Sequence, residues 1–387
     1  MKGPRILCIS FSDIRSDSRV LRQLDQLTKF GRVTTLSYGE APPQADDHIQ
    51  IDSGLPSLPQ TVSGVLNLAL RRYKTVQLEA PAVQVARAAL GSREFDLVVA
   101  NEARALPLAS VVAGQPKILC DLHEWAPAER THVLSWRLLV APFMHWVCAT
   151  YLPRVAASTT VNSSIAEMYQ REFGVRPEVV RNAIAYRPDL APTTLDPERI
   201  RLVHSGGAVA GRNIEALVEA VDVLGDGYSL DLYLIPGRQR DAYWAELQKR
   251  IAQSPGTTLH PPVLPADLPD VLNAYDLGVF SLPPLTPNHK LMLPNKFFDF
   301  VQARLGIVFS TAEETDRLIR EYKLGAVAEG FGADELVRAI GAMSRADVAA
   351  AKSAADDAAE KLSSATDLAT QDRILSELLL GGASKHT

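Results

Sequence analysis

At 387 residues the chain is longer than one usual domain, so length favours two. It is 47% hydrophobic and 22% charged, the composition of a soluble globular protein rather than a disordered or fibrous one. A net charge of −5 gives no global pull toward nucleic acid, and nucleic acid is excluded as a partner.

The three cysteines, Cys8, Cys120 and Cys148, are scattered, with no CxxC pair and no ligand spacing. Buried thiols in a reducing, cytoplasmic setting are expected. The opening MKGPRILCIS has too short an apolar run for a secretory signal. The longest apolar stretch, 138–152, is interrupted by Pro142 and His145 and falls short of bilayer length.

In chain order, residues 6–10 read as a buried strand and 18–27 as a helix, with Val20, Leu21, Leu24 and Leu27 at helical spacing. Residues 32–36 read as a second strand. This is a βαβ opening without GxGxxG, which disfavours a nicotinamide or flavin dehydrogenase. The Pro-, Asp- and Ser-rich segment 41–60 is expected to be loop, and 62–73 and 76–90 helices. Arg71, Arg72 and Lys74 form a basic cluster, for which a solvated helix end is the plainer reading and membrane contact the alternative. Strands follow at 96–100 and 117–122, with a helix at 104–112 between them. The second strand runs into His123 and Glu124, where ligands sit in open α/β sheets. Residues 136–155 are apolar and aromatic, a core helix or two helices broken at Pro142, with an interfacial membrane helix as the alternative.

Residues 183–198 hold three prolines and no period, and read as a linker. The βα alternation then restarts with a strand at 201–204 and the glycine loop Ser205-Gly206-Gly207. It continues to about residue 328, and the remainder is helical and Ala-rich. The expected architecture is α/β, with two Rossmann-like doubly wound domains facing a cleft: 1–185, and 199–360 beyond the linker. Residues 361–387 form a terminal helix and tail.

Two stretches carry chemistry. In 293–300, LPNKFFDF, Pro294 suits a helix start, and Asn295 and Asp299 share a helical face. The helix start, with Lys296, is an anion site, and a carboxylate one turn further in suits a ribose hydroxyl pair. An ordinary amphipathic helix with a solvated Asp is the alternative. In 206–212 a strand feeds glycines and then Arg212, a turn that suits a diphosphate and its charge on departure. A tight turn with a solvated Arg is the competing reading. No Asp-x-Asp, P-loop, GxSxG or HExxH occurs, so no catalytic metal and no cofactor are expected.

Several motifs, in order, resemble retaining glycosyltransferases of family 4, which have the two-domain GT-B fold. They are Ser16-Asp17-Ser18-Arg19-Val20, Asn101-Glu102, Asp121-Leu122-His123-Glu124, Arg181-Asn182, the pair Gly207 and Arg212, and Pro294-Asn295-Lys296-Phe297-Phe298-Asp299-Phe300. The resemblance implies that Asp299 holds the donor ribose and that Arg212, Gly206, Gly207 and Lys296 hold the diphosphate. It also implies that His123, with Glu124, lies by the transferred sugar and that the terminal helix returns to the first domain.

Three departures stand beside it. Leu291 occupies the place of an acid, so that Asn288, His289 or Lys290 would contact the sugar. Asn213 stands where a Lys is usual, and Asp299 where Glu is usual. The implied substrate is a UDP- or GDP-sugar and the acceptor a glycan or lipid-linked molecule. Polysaccharide or glycoconjugate synthesis at the inner membrane surface, by a cytoplasmic or peripheral protein, is the implied setting. A sugar-nucleotide 2-epimerase and a non-catalytic nucleotide-sugar-binding or scaffold relative are the rival readings.

Overall fold

The structure, a computed structural model, describes residues 3–237 and 242–381, so the end of the expected tail, 382–387, lies outside the described residues. The chain separates into two compact units, Met1–Arg181 with Asp367–Thr387, and Asn182–Thr366.

The first unit is built on a seven-stranded sheet, β1 (Arg5–Asp13), β2 (Arg32–Tyr38), β3 (Asp47–Ile51), β4 (Leu97–Asn101), β5 (Lys117–Leu122), β6 (Ala157–Thr160) and β7 (Glu178–Val179). The spatial order is β3-β2-β1-β4-β5-β6-β7, with every pairing parallel. Parallel strands are covered on both faces, so Ile6, Leu7, Cys8 and Ile9 are all buried in succession and read as an apolar run. The crossover helix Ser18–Leu27 starts at Asp17, whose carboxylate accepts from the Val20 N–H.

Three local expectations change. Asp47–Ile51 is a strand rather than loop: it pairs with β2 at the sheet edge, and its alternating pattern, with Ile49 and Ile51 inward, is short and polar. The helix expected at 104–112 shrinks to the single turns Ala103–Ala105 and Leu106–Ala109 around Pro107. The helix expected at 76–90 begins only at Pro81, because a proline holds the preceding Ala80 extended. At 136–151 the expected helix is present, as a π-helical turn, Trp136–Val140, leading into the α-helix Ala141–Tyr151 with Pro142 in its first turn.

The terminal helix Ala365–Leu379 buries Ile374 and Leu375 among Ile6, Cys8, Leu24, Leu97 and Leu119 of the first unit. Arg181 is held to it by a bidentate pair with Asp367.

The second unit has six parallel strands, β8 (Ile200–Ala208), β9 (Tyr228–Pro236), β10 (Thr257–His260), β11 (Leu277–Phe280), β12 (Gly306–Ser310) and β13 (Gly325–Ala328), ordered β10-β9-β8-β11-β12-β13. The order reverses between β8 and β11, the switch point at which such sheets take ligands. The helix Asn295–Gln302 lies over this sheet, and Pro294 is its cap residue rather than part of its first turn. Phe297, Phe298, Phe300 and Val301 are fully buried. Phe280, Phe297 and Phe300 each present an edge to Phe309. The helix approaches so closely that a Cβ at Gly278 would collide with the Phe300 ring. That helix start is therefore positioned by packing.

Candidate functional site

Several of the sequence-derived residues meet at the carboxyl end of β8, in the second unit. Gly206 has φ +144°, a conformation that favours glycine, and a Cβ there would lie 3.5 Å from Lys296 Nζ. The lysine thus lies against bare backbone. Its side chain is 9% exposed, and Nζ sits 4.1 Å from the centroid of the Phe280 ring, a cation–π contact. Burial, and then the charge of Arg212, pull the Lys296 ammonium down to about 7, against the opposing effect of Asp299.

His204, on the same strand, stacks on Phe280 with rings 5.9 Å apart and is buried. Burial, with the Lys296 and Arg212 charges, lowers it to about 3, so it is neutral near pH 7. Its Nδ1 then donates to the Val279 carbonyl at 2.9 Å.

Arg212 is exposed on the loop after Gly207. Asn295 is exposed at the helix start, and Asp299 is half-buried one turn on. Gly206, Lys296, Arg212 and Asp299 therefore form one electrostatic unit. Two cations, a glycine strand end and a helix start suit a doubly charged anion.

The other sequence-derived residues are placed differently. Asn213 takes a left-handed conformation before the helix Ile214–Leu224, and its amide donates to Ser281 Oγ at 3.0 Å and to the Phe331 carbonyl. Its side chain pins the loop at 330–332. His289, on the single turn Pro287–Lys290, has Nδ1 3.2 Å from the Leu285 N–H and 3.3 Å from the Pro283 carbonyl. Lys290 is exposed, and Leu291 is half-buried at the end of that turn.

In the first unit, Asp121 at the end of β5 is fully buried and saturated with donors. Arg19 binds it through Nε at 2.9 Å and Nη2 at 2.6 Å, Gln23 Nε2 at 3.2 Å and Thr159 Oγ1 at 2.7 Å. Burial alone would raise its carboxyl. The Arg19 and His123 charges outweigh burial and hold it far below the usual carboxylate range.

His123 follows with both ring nitrogens beside carboxylates, Nδ1 3.2 Å from Glu102 and Nε2 3.4 Å from Asp121. Burial opposes the imidazolium, but Glu102 and Asp121 prevail and raise its pKa. Glu102 has φ +70° and ψ 149°, a strained conformation for a side-chain-bearing residue that costs about 1–3 kcal/mol. Burial raises its carboxyl, against His123 and Arg104. Burial, with Glu102 and Glu129 nearby, pushes Glu124 up to about 9, so it is a neutral acid at pH 7. Arg104 bridges to Glu129 at 3.2 Å.

Glu102 and Arg19 were visible in the sequence only as parts of motifs, without a site role. Adjacency of β4 and β5, with Asn101 opposite Asp121, is what carries Glu102 to His123.

No family model matches the chain, and no curated protein matches it in sequence. Solved structures do match it. HepE of Anabaena, in complex with UDP and glucose, is 15% identical over 97% of this chain and 99% of that one, with a TM-score of 0.67. Sucrose-phosphate synthase of Thermosynechococcus elongatus is 14% identical over 98% and 100%, with a TM-score of 0.68. The α,α-trehalose 6-phosphate synthase of Burkholderia multivorans is 10% identical over 99% and 100%, with a TM-score of 0.66. At these identities the likeness is one of fold: the chain has the Rossmann-like α/β fold of these proteins, with two parallel sheets.

Proposed function

We propose that the chain is a metal-independent glycosyltransferase. It moves a sugar from a UDP- or GDP-sugar to an acceptor hydroxyl with retention of configuration, in polysaccharide or glycoconjugate synthesis. The observation that carries this is the corner at the end of β8, where Lys296 lies buried against Gly206 with Arg212 acting on it and Asp299 one helical turn on. Two cations and the helix start receive the diphosphate, and Asp299 receives the ribose hydroxyls. The HepE structures with UDP and with UDP-glucose support the donor class.

In the reaction the bond from the anomeric carbon to the diphosphate oxygen breaks, and its electrons pass to the diphosphate. The acceptor oxygen bonds to the same face of that carbon. The acceptor proton goes to the departing diphosphate oxygen. Lys296 and Arg212 stabilise the charge that develops there, an electrostatic contribution present before reaction begins. His123, whose pKa Glu102 and Asp121 raise against burial, serves the transferred sugar, and Glu124 supplies a neutral donor. The first unit takes the acceptor and the second the donor. Supply of nucleotide-sugar puts the protein in the cytoplasm, at the inner membrane surface when the acceptor is lipid-linked.

Thermal shift with UDP, GDP, ADP and their sugars tests the donor site. At a hundredfold excess over Kd, binding adds about 2.7 kcal/mol. The shift is expected to be selective for one base and to be lost in Asp299→Ala and Arg212→Ala. Anomeric configuration of the product, read by NMR, tests retention. A second reading, a nucleotide-sugar-binding subunit without turnover, is favoured by Asn213, whose amide is committed to Ser281 and Phe331. Nucleotide binding with no transfer to any acceptor would select it.

A further inference from the structure

One surface of the first unit departs from the composition of the rest. Residues 53–78 contain no Asp or Glu, and neither do residues 130–166, in a chain with 45 acids. The two segments carry Arg71, Arg72, Lys74, Arg130, Arg137 and Arg154. A chain of net charge −5 thus concentrates six positive charges in two stretches without acids of their own, of which Arg130 pairs with the adjacent Glu129.

These stretches meet in space. The helix Val62–Ala69 packs beside the turn Trp136–Val140, and both line a cavity of about 780 Å³ with Tyr38, Arg104 and Arg130. Leu68 and Trp136 point inward and are buried. Outward, Val62 is 91% exposed, and Leu66, Leu70, Leu134 and Leu138 are each more than half exposed. Scattered exposed apolar residues are ordinary, but an apolar group of this size with a basic rim marks an interaction face. Tyr73 contacts Phe143 and Trp146, each at 5.8 Å, so aromatic rings underlie the basic cluster at 71–74. An eight-residue helix is about 12 Å long and cannot cross a bilayer, and among the described residues no helix is long and apolar enough to do so. It can lie in an interface with leucines down and arginines at the headgroups.

We propose that this face seats on an anionic lipid bilayer. Val62, Leu66, Leu134 and Leu138 enter the interface and Arg71, Arg72, Lys74 and Arg137 engage lipid phosphates. The cavity beside it, with Arg104 and Arg130 in its wall, takes the headgroup of a lipid-borne, phosphate-bearing acceptor. The acceptor assignment rests on the glycosyltransferase reading, and the docking does not.

The full chain is sedimented with vesicles of phosphatidylcholine alone and with about 30 mol% phosphatidylglycerol, at about 0.1 M and about 0.5 M salt. Binding is expected only to the anionic vesicles and is weakened by salt. Arg71→Gln with Arg72→Gln lowers the partition on the order of 25-fold, about fivefold per charge. Leu66→Ser with Leu138→Ser abolishes it, with the nucleotide thermal shift unchanged in both variants. Equal binding to neutral vesicles, or none to anionic ones, overturns the proposal. So does concentration-dependent self-association that Leu66→Ser with Leu138→Ser removes in a chain that ignores lipid. A chain that shifts with UDP but ignores vesicles loses the docking and keeps its donor site. One that binds anionic vesicles but shifts with no nucleotide keeps the docking and loses the glycosyltransferase reading.

Discussion

Replacing Lys296 with methionine tests the donor corner through both stability and binding. The lysine is buried against Gly206 and Phe280, and its ammonium is lowered from 10.5 to about 7. Between those values the unfolded chain holds a proton that the folded chain has released. Unfolding free energy therefore rises with pH across this window, by up to about 1.4 kcal/mol per pH unit, and is unaffected by this group below it. From pH 7 to pH 9 the wild type gains about 2.3 kcal/mol that Lys296→Met does not, because the folded lysine is already half deprotonated at pH 7. The variant's advantage is largest below pH 7, where the wild type bears a buried charge, and closes by that amount.

Urea unfolding at several pH values measures this, followed by a fluorine label on Trp244, the single tryptophan of the second unit. A saturating nucleotide diphosphate holds the lysine protonated, so the wild-type rise flattens when UDP is present, and Lys296→Met shows no UDP response. Stability profiles that run parallel from pH 6 to pH 9 would refute the account of a desolvated lysine beside Arg212.

Asp121→Asn leaves Arg19 buried without its charge partner and is expected to cost about 3–5 kcal/mol, a Tm loss of roughly 6–20 °C for a unit of this size. Because the Asp121 carboxyl is held below its ordinary value, its contribution is present above the unfolded pKa and is lost as pH falls. The gap between wild type and variant narrows in acid, as calorimetry at two pH values would show. Glu102→Gln removes one of the two carboxylates beside His123, and the His123 titration, followed by nitrogen-15 NMR, moves to lower pH. An unmoved titration would mean that Glu102 does not set its charge. Gly206→Ala forces a side chain into φ +144° and against Lys296, so the nucleotide thermal shift falls at a stability cost of about 1–3 kcal/mol. Gly207→Ala, whose Cβ would meet only Val209 at 3.7 Å, keeps the shift.

Much of the fold is legible in the chain because parallel strands covered on both faces must be continuous apolar runs. Ile6 to Ile9 and Ile307 to Phe309 declare themselves, and the glycine and proline stops divide them from helices. Asp47–Ile51 does not, since an edge strand exposes alternate residues and resembles the polar loop around it. The motif residues were also visible, because Gly206, Lys296, Arg212 and Asp299 belong to short local patterns at strand and helix ends.

Their chemical states were not. Lys296 owes its lowered pKa to burial under Phe280 and to Arg212, on an element far away in sequence. Likewise, Glu102 reaches His123 only because β4 lies beside β5, and Arg19 reaches Asp121 across 102 residues. The spread of Asn213 and His289 onto backbone partners also follows from packing. Periodicity and turn chemistry act over a few residues and are written locally. Desolvation and charge depend on which elements the sheet order brings together, and only the folded chain decides that.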